Sequence, residues 1–241
     1  MKDLNGKVAL ITGGTKGIGY GVAEALLNQG LKVVITSRNK NSADETAKEL
    51  ASKTNCVGSI IGVQADVRQL ESQEEAVKQA ISTFGQLDIV IANAGLGLFA
   101  SIEDLTVEQW NDTIDTNLTG AFNSIKASVK ALKESKGYYI TISSLAGANF
   151  FAKGSAYNAS KFGLTGFTQA VMLDLRKYGV KVSTIMPGSV STYFNGNTPS
   201  EDQAWKIQIE DIGELVVDLL KMNPRTLPSK IEVRPTTPPS K

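Results

Sequence analysis

The run Val8-Ala-Leu-Ile-Thr-Gly-Gly-Thr-Lys-Gly-Ile-Gly19 decides the fold. Its first four residues are apolar, as a buried strand requires. Beyond the glycines, residues 20–29 carry Val22, Ala23, Leu26 and Leu27 at helical spacing. A buried strand, a glycine-rich turn and a helix make a phosphate-binding unit. Glycine lets the backbone approach a pyrophosphate, and the first helical turn offers free N–H groups. The spacing is Gly-x3-Gly-x-Gly over Gly13, Gly17 and Gly19, not the Gly-x-Gly-x-x-Gly of the commonest dinucleotide fingerprint. A P-loop is excluded, because Gly19 is followed by Tyr20 and Gly21 where Lys and Ser/Thr are needed. A tight turn using glycine for geometry alone reads the same up to this point.

Outward from this unit, short apolar runs alternate with helical patterns. Strands are expected at 7–12, 32–36, 58–64, 87–92, 138–143, 181–186 and 230–233. The fold class is therefore α/β: one Rossmann-like, doubly wound parallel sheet of about seven strands with helices on both faces. Capping boxes are expected at Ser42–Glu45 and Thr106–Gln109. Near the end, Ile212, Leu215, Val216, Leu219 and Leu220 recur at helical spacing and should bury one face. The 241 residues contain no internal repeat and no Pro/Ser/Gly-rich linker, so the reading is a single domain over 1–241. Its tail, 234–241, is too proline-rich to continue a strand or helix.

Net charge is +1, from 25 basic and 24 acidic residues, which gives no field to draw nucleic acid or an anionic membrane. Lys126, Lys130, Lys133 and Lys136 read as one solvated helix face complementing the helix dipole. With Cys56 as the lone cysteine and histidine absent, Ser-His mechanisms, histidine metal sites and thiolate clusters are excluded, and no metal is expected. Residues 1–7 lack a signal-peptide apolar core, and no run of eighteen apolar residues occurs, so the expected location is cytoplasmic.

Tyr157 and Lys161 lie four residues apart, with Ser144 thirteen positions upstream. On a helix that spacing puts phenol and ammonium on one face. A positive charge favours tyrosinate and lowers a pKa of about 10, which makes tyrosine a usable acid/base. Tyr-x3-Lys also arises as an aromatic beside a solvated lysine.

Taken together these residues resemble the short-chain dehydrogenase/reductase family, over residues 5–195. The matching motifs are Thr12 to Gly19, Asn93-Ala94-Gly95, Asn117, Ser144, Tyr157 with Lys161, and Pro187-Gly188. The resemblance implies that Tyr157 exchanges a proton with a carbonyl oxygen, Ser144 stabilises that oxygen, and Lys161 lowers the tyrosine pKa and holds the nicotinamide ribose. Asn117 would position a water beside Lys161. It further implies cofactor contacts from Gly13, Thr15, Lys16, Gly17, Ile18 and Gly19 in the glycine turn, from Asp66 and Val67 to the adenine, and from Asn93, Ala94 and Gly95. Pro187, Gly188, Val190 and Thr192 would surround the nicotinamide carboxamide. Ser143 and Ser144 could instead be strand-end serines bonding backbone, and Asn117 could pin a helix to a strand.

Cofactor choice rests on charge. NAD sites place an acid about 20 residues past the glycines; here no acid stands between Glu24 and Asp44, and Ser37 and Arg38 close the second strand. Arg38 can bind a 2′-phosphate bidentately and Lys16 adds a second charge, which points to NADP(H).

The expected activity is reduction of a ketone to a secondary alcohol by hydride from NADPH, with resemblance to 3-oxoacyl-carrier-protein reductases and carbonyl reductases. Alternatives are an oxidising NADP-dependent alcohol or sugar dehydrogenase, a non-catalytic NADP-binding regulator, and a methyltransferase, whose cofactor has no phosphate for Lys16 and Arg38. Residues that the resemblance places around the nicotinamide, Leu96, Leu98, Phe99, Phe150, Phe151, Tyr193 and Phe194, are apolar or aromatic, so a hydrophobic small-molecule substrate is expected. No arginine lies in those segments, and Lys153 is the nearby cation. The substrate loop, 193–208, is short, which suggests an open site. Gly163 and Gly166 sit among Leu164, Phe167, Val171 and Leu175, and by resemblance this helix and the preceding one would form a homo-oligomer interface, in a dimer or tetramer.

Overall fold

The computed structural model describes residues 3–237. Seven strands form one sheet: β1 (Val8–Ile11), β2 (Lys32–Ser37), β3 (Ile60–Gln64), β4 (Ile89–Ala92), β5 (Tyr138–Ile142), β6 (Lys181–Pro187) and β7 (Lys230–Val233). Every neighbouring pair is parallel, and the order is β3-β2-β1-β4-β5-β6-β7. The strands at 58–64 and 87–92 start two residues later than expected. At the first of these, Gly58 adopts φ 82 and belongs to the preceding turn. Residues 238–241, half of the proline-rich tail, lie outside the described residues.

Seven helices connect the strands: α1 (Gly17–Asn28), α2 (Lys40–Lys53), α3 (Leu70–Phe84), α4 (Val107–Ile114), α5 (Gly120–Ser135), α6 (Ser155–Leu175) and α7 (Ile209–Lys221). The capping box at Thr106 and Gln109 is present in full. The one expected at Ser42–Glu45 is not formed, because α2 begins earlier. Asn39 caps it by accepting the Ser42 N–H at 3.0 Å, so Ser42 falls within the first turn. Lys136 lies past the end of α5 as a left-handed cap, φ 49, and the Lys133 ammonium sits 3.8 Å from the centre of the Tyr178 ring.

Between α4 and α5 the helix widens into a π turn, Asp115–Thr119, closed by the Gly120 N–H donating to the Asp115 carbonyl. π turns insert one residue into a helix and recur at functional sites. This one contains Asn117.

Two apolar layers cover the sheet. On one face α1 and α7 pack Val22, Leu26, Ile212, Val216 and Leu220 against Ala9, Ile11 and Ile140. On the other, α3, α5 and α6 bring Ala76, Ile125, Leu132 and Leu164 against Val8, Leu10 and Val90. Each fully buried Val, Leu or Ile contributes about 1.5–3 kcal/mol. Gly21 lets α1 and α7 touch: a Cβ there would lie 2.5 Å from the Ile209 carbonyl oxygen. Strand order reverses between β1 and β4. Such a switch point leaves a crevice at the carboxyl ends of the strands.

Candidate active site

A cleft of about 1820 Å³ runs along that edge. It is lined by Gly13, Thr15, Lys16, Gly17 and Ile18 from the glycine turn, Ser37 and Arg38 at the end of β2, Asp66 and Val67 after β3, and Asn93, Ala94 and Gly95 after β4. Ser144, Tyr157, Lys161, Pro187, Gly188, Val190 and Thr192 line its other half. Of the residues expected at the site, Gly19 and Asn117 stand behind this wall. A Cβ on Gly19 would lie 2.5 Å from Asn93 Nδ2, so Gly19 serves packing beneath the turn.

The turn is tied to β4 by side chains. Asn93 Nδ2 donates to the Thr12 and Gly13 carbonyls at 2.9 and 3.0 Å, and the Asn93 and Ala94 amides both donate to Thr12 Oγ1 at 3.0 Å. Asn93 and Thr12 thus hold the two strands on either side of the switch point. Gly13 and Gly17 have φ of 64 and 58, which favours glycine.

The cleft fits an extended dinucleotide in three respects. No side chain caps the N-terminus of α1, which leaves its first amides for an anion. Arg38 and Lys16 are exposed in the cleft wall and, among the described residues, neither is in an ion pair. Thr36 Oγ1, buried at the end of β2, has no hydrogen-bond partner among the described residues. Asp66 is held by Arg68, whose guanidinium pairs with it at 2.7 Å and reaches Asp112 on α4 at 3.2 Å. The Arg68 hydrogen bonds keep the Asp66 carboxyl below the usual carboxylate range. Arg68 escaped the sequence reading, although its place two residues after Asp66 is visible there.

At the other end, Tyr157 and Lys161 share one face of α6 and are both buried. Lys161 Nζ donates to the Ile142 carbonyl at 3.0 Å and lies 5.7 Å from the centre of the Tyr157 ring. Burial lowers the Lys161 ammonium from 10.5 to about 8. Burial raises the Tyr157 phenol, and the hydrogen bond with Ser144 offsets part of that rise. The expectation that lysine lowers the tyrosine pKa is therefore corrected: desolvation outweighs it here.

The two serines separate clearly. Ser143 Oγ is buried against Thr165 Oγ1 at 3.0 Å and the Lys161 carbonyl. Ser144 Oγ accepts the Ala146 N–H at 3.1 Å, which leaves its own proton to donate toward the Tyr157 phenol. The Asn117 side chain is fully used: Oδ1 accepts the Leu96 N–H at 2.8 Å, and Nδ2 donates to the Leu96 carbonyl and Ser160 Oγ at 2.9 and 3.0 Å. It fastens the segment after β4 to α6. A Cβ on Gly95 would lie 3.2 Å from that Oδ1 and 3.7 Å from Lys161 Nζ, so bare backbone passes over the lysine.

The short loop does not leave Tyr157 open. Phe99 and Phe194 both pack on its ring, with centroids 5.4 and 5.6 Å away. Lys153 is exposed and does not line the cleft. Arg234, which sequence reasoning assigned to the tail, does line it, because β7 pairs with β6 and carries the chain to the same edge. Its guanidinium is paired with Glu232 at 3.0 Å.

Comparison with known proteins agrees with this geometry. The family model for short chain dehydrogenases matches residues 7–203. An uncharacterized oxidoreductase of Staphylococcus saprophyticus is 36% identical over 98% of this chain and 100% of that protein. An alcohol dehydrogenase from the archaeon Thermococcus sibiricus, solved with 5-hydroxy-NADP, superposes with a TM-score of 0.89 at 29% identity, over 98% of this chain and 99% of that one. A metagenomic short-chain oxidoreductase solved with NADP has a TM-score of 0.84 at 29% identity, over 98% and 100%. The matched stretch contains the glycine turn, Ser144, Tyr157 and Lys161, and the relatives align from end to end: the chain is an oxidoreductase of the short-chain dehydrogenase/reductase family.

Proposed function

We propose that the protein reduces ketones to secondary alcohols with NADPH. One observation carries the reading: a single cleft joins the Ser144–Tyr157–Lys161 cluster to Arg38 and Lys16, cations that form no ion pair among the described residues. NADPH supplies the hydride when bound. Lys16 and Arg38 would hold its 2′-phosphate, the uncapped start of α1 its pyrophosphate, and Asp66 its adenine. The NADP compounds named for the Thermococcus sibiricus and metagenomic structures support this choice.

The chain's own residues handle the proton. Tyr157 is protonated through the neutral range, as an unperturbed phenol is, and burial raises its pKa further, so it carries the proton that the carbonyl oxygen takes. Ser144, beside the Tyr157 phenol, would turn its O–H to the same oxygen and stabilise the developing charge. The Ile142 carbonyl takes one N–H of Lys161, which leaves two for the ribose hydroxyls and the phenol. Asn117 positions Leu96 and the backbone over Lys161 through side-chain bonds.

The substrate end is walled by Leu145, Phe151 and Phe194, with Phe99 packed on both of those rings, and Arg234 there is paired with Glu232. Burying a hydrophobic substituent contributes about 25 cal/mol per Å², which favours aryl and medium-chain alkyl ketones over short keto acids. Phe122 and Phe162 are exposed on α5 and α6, and Gly166 beside them is open, a surface suited to a second copy of the chain. A cytoplasmic setting, with Cys56 a free thiol, belongs to the same proposal. The test is steady-state reduction of an aryl ketone and of a short 2-keto acid with NADPH and with NADH. Preference for the acid, or for NADH, would contradict the reading.

A further inference from the structure

We infer that Phe194, seated on Gly97, sets the size limit on one substituent of the ketone, so that the substrates are ketones with one small arm, of the methyl-ketone class. The inference rests on the ketone-reduction reading. Any ketone must bring its oxygen to Ser144 and Tyr157, and its two arms must then lie on either side of that point. The Phe194 ring takes up one side. Its centroid lies 5.6 Å from that of Tyr157 and 6.4 Å from that of Phe99, and a Cβ on Gly97 would overlap its Cζ. The ring is thus wedged between the bare backbone of Gly97 and the catalytic phenol, which leaves no volume there for a bulky group.

Phe194 is held rather than loose. Asn197 Nδ2 donates to its carbonyl at 2.7 Å, and its own N–H donates to Thr192 Oγ1 at 3.3 Å. Thr192 rests on the glycine turn, with its Cγ2 at 3.4 Å from where a Gly17 Cβ would stand. Beyond the ring the chain reverses through left-handed Asn195 (φ 56) and Gly196 (φ 74), which fixes the direction from which the ring enters. The larger arm would then lie toward Leu145, Asn149 and Phe151, which also line the cleft.

The experiment compares kcat/KM for acetophenone and benzophenone with NADPH in the wild type, Phe194→Ala, Phe194→Leu and Gly97→Ala. The wild type should strongly favour acetophenone. Removing the ring, or pushing it off its seat with a methyl group on Gly97, should raise the benzophenone-to-acetophenone ratio about tenfold or more, within the range that pocket volume commands. Phe194→Leu should fall between wild type and Phe194→Ala, and it supplies the answer if the alanine variant does not fold. A ratio unchanged in the folded variants overturns the size-limit role while leaving ketone reduction standing. A wild type inactive on both ketones overturns the ketone reading itself.

Discussion

Lys161 Nζ faces the Tyr157 ring from 5.7 Å and gives a hydrogen bond to the Ile142 carbonyl, 3.0 Å away. Both side chains are buried, and burial works on them in opposite directions. The phenol holds its proton more tightly and the ammonium holds its own less tightly. Before cofactor binds, the pair is therefore a neutral donor beside a cation that is costly to keep.

Tyr157→Phe should lower ketone turnover by about 10²–10⁴, the usual range for one general acid. The ring packs between Phe99 and Phe194, and the substitution preserves that packing while removing the proton. NADPH affinity, measured by calorimetry, should stay within a few-fold. Near-wild-type reduction would sink the assignment.

Lys161→Met should abolish turnover yet stabilise the protein at pH 7. The fall from 10.5 to about 8 marks a charge buried at a cost of about 3 kcal/mol. Methionine of similar length should recover about 1–3 kcal/mol of it in urea unfolding. The sign fixes the pH window. Below pH 8 both folded and unfolded chains carry the proton and the cost is complete. Between 8 and 10.5 the folded chain releases it first, so wild-type stability rises and the mutant's advantage fades. A mutant less stable than wild type at pH 7 would contradict this.

Arg38→Ala should raise KM for NADPH about tenfold or more while changing KM for NADH little, because NADH has no 2′-phosphate for a guanidinium to grip. Lys16→Ala should act in the same sense and more weakly. Steady-state kinetics with both cofactors decides it, and an equal loss for the two would remove Arg38 from the phosphate site.

Light scattering coupled to size-exclusion chromatography should find the wild type as a dimer or tetramer and Phe122→Glu as a smaller species. The Phe122 ring is 46% exposed and packs against Phe167 at 6.4 Å, so a carboxylate there spoils an apolar face without entering the core. Equal masses for the two proteins would discount this surface.

Much of the molecule was legible in the sequence because its signals are local. Strand periodicity, the glycine spacing and Tyr-x3-Lys each report on residues within a few positions of one another, and β7 falls at 230–233 as read. What was missed depends on distant partners. Ser42 looked like a cap until Asn39 took that role. Tyr157 was expected to lose its proton more easily, since the sequence gives the neighbouring charge but not the burial that outweighs it. The 193–208 loop looked too short to cover the site, yet one aromatic suffices when it meets a glycine ninety-seven positions from Phe194. Arg234 reached the cleft only through the pairing of two strands.

The π turn at Asp115–Thr119 makes α4 and α5 a single rod with one surplus residue, and Asn117 belongs to that stretch. Its removal would leave an uninterrupted and locally more regular helix. Each residue adds 100° of rotation and 1.5 Å of rise, so the deletion would turn α4 and α5 out of phase and carry Asn117 away from Leu96 and Ser160. Local helical regularity and the anchorage of Leu96 to α6 through Asn117 are thus in direct competition here, and shortening this rod by one residue would improve the helix while undoing that anchorage.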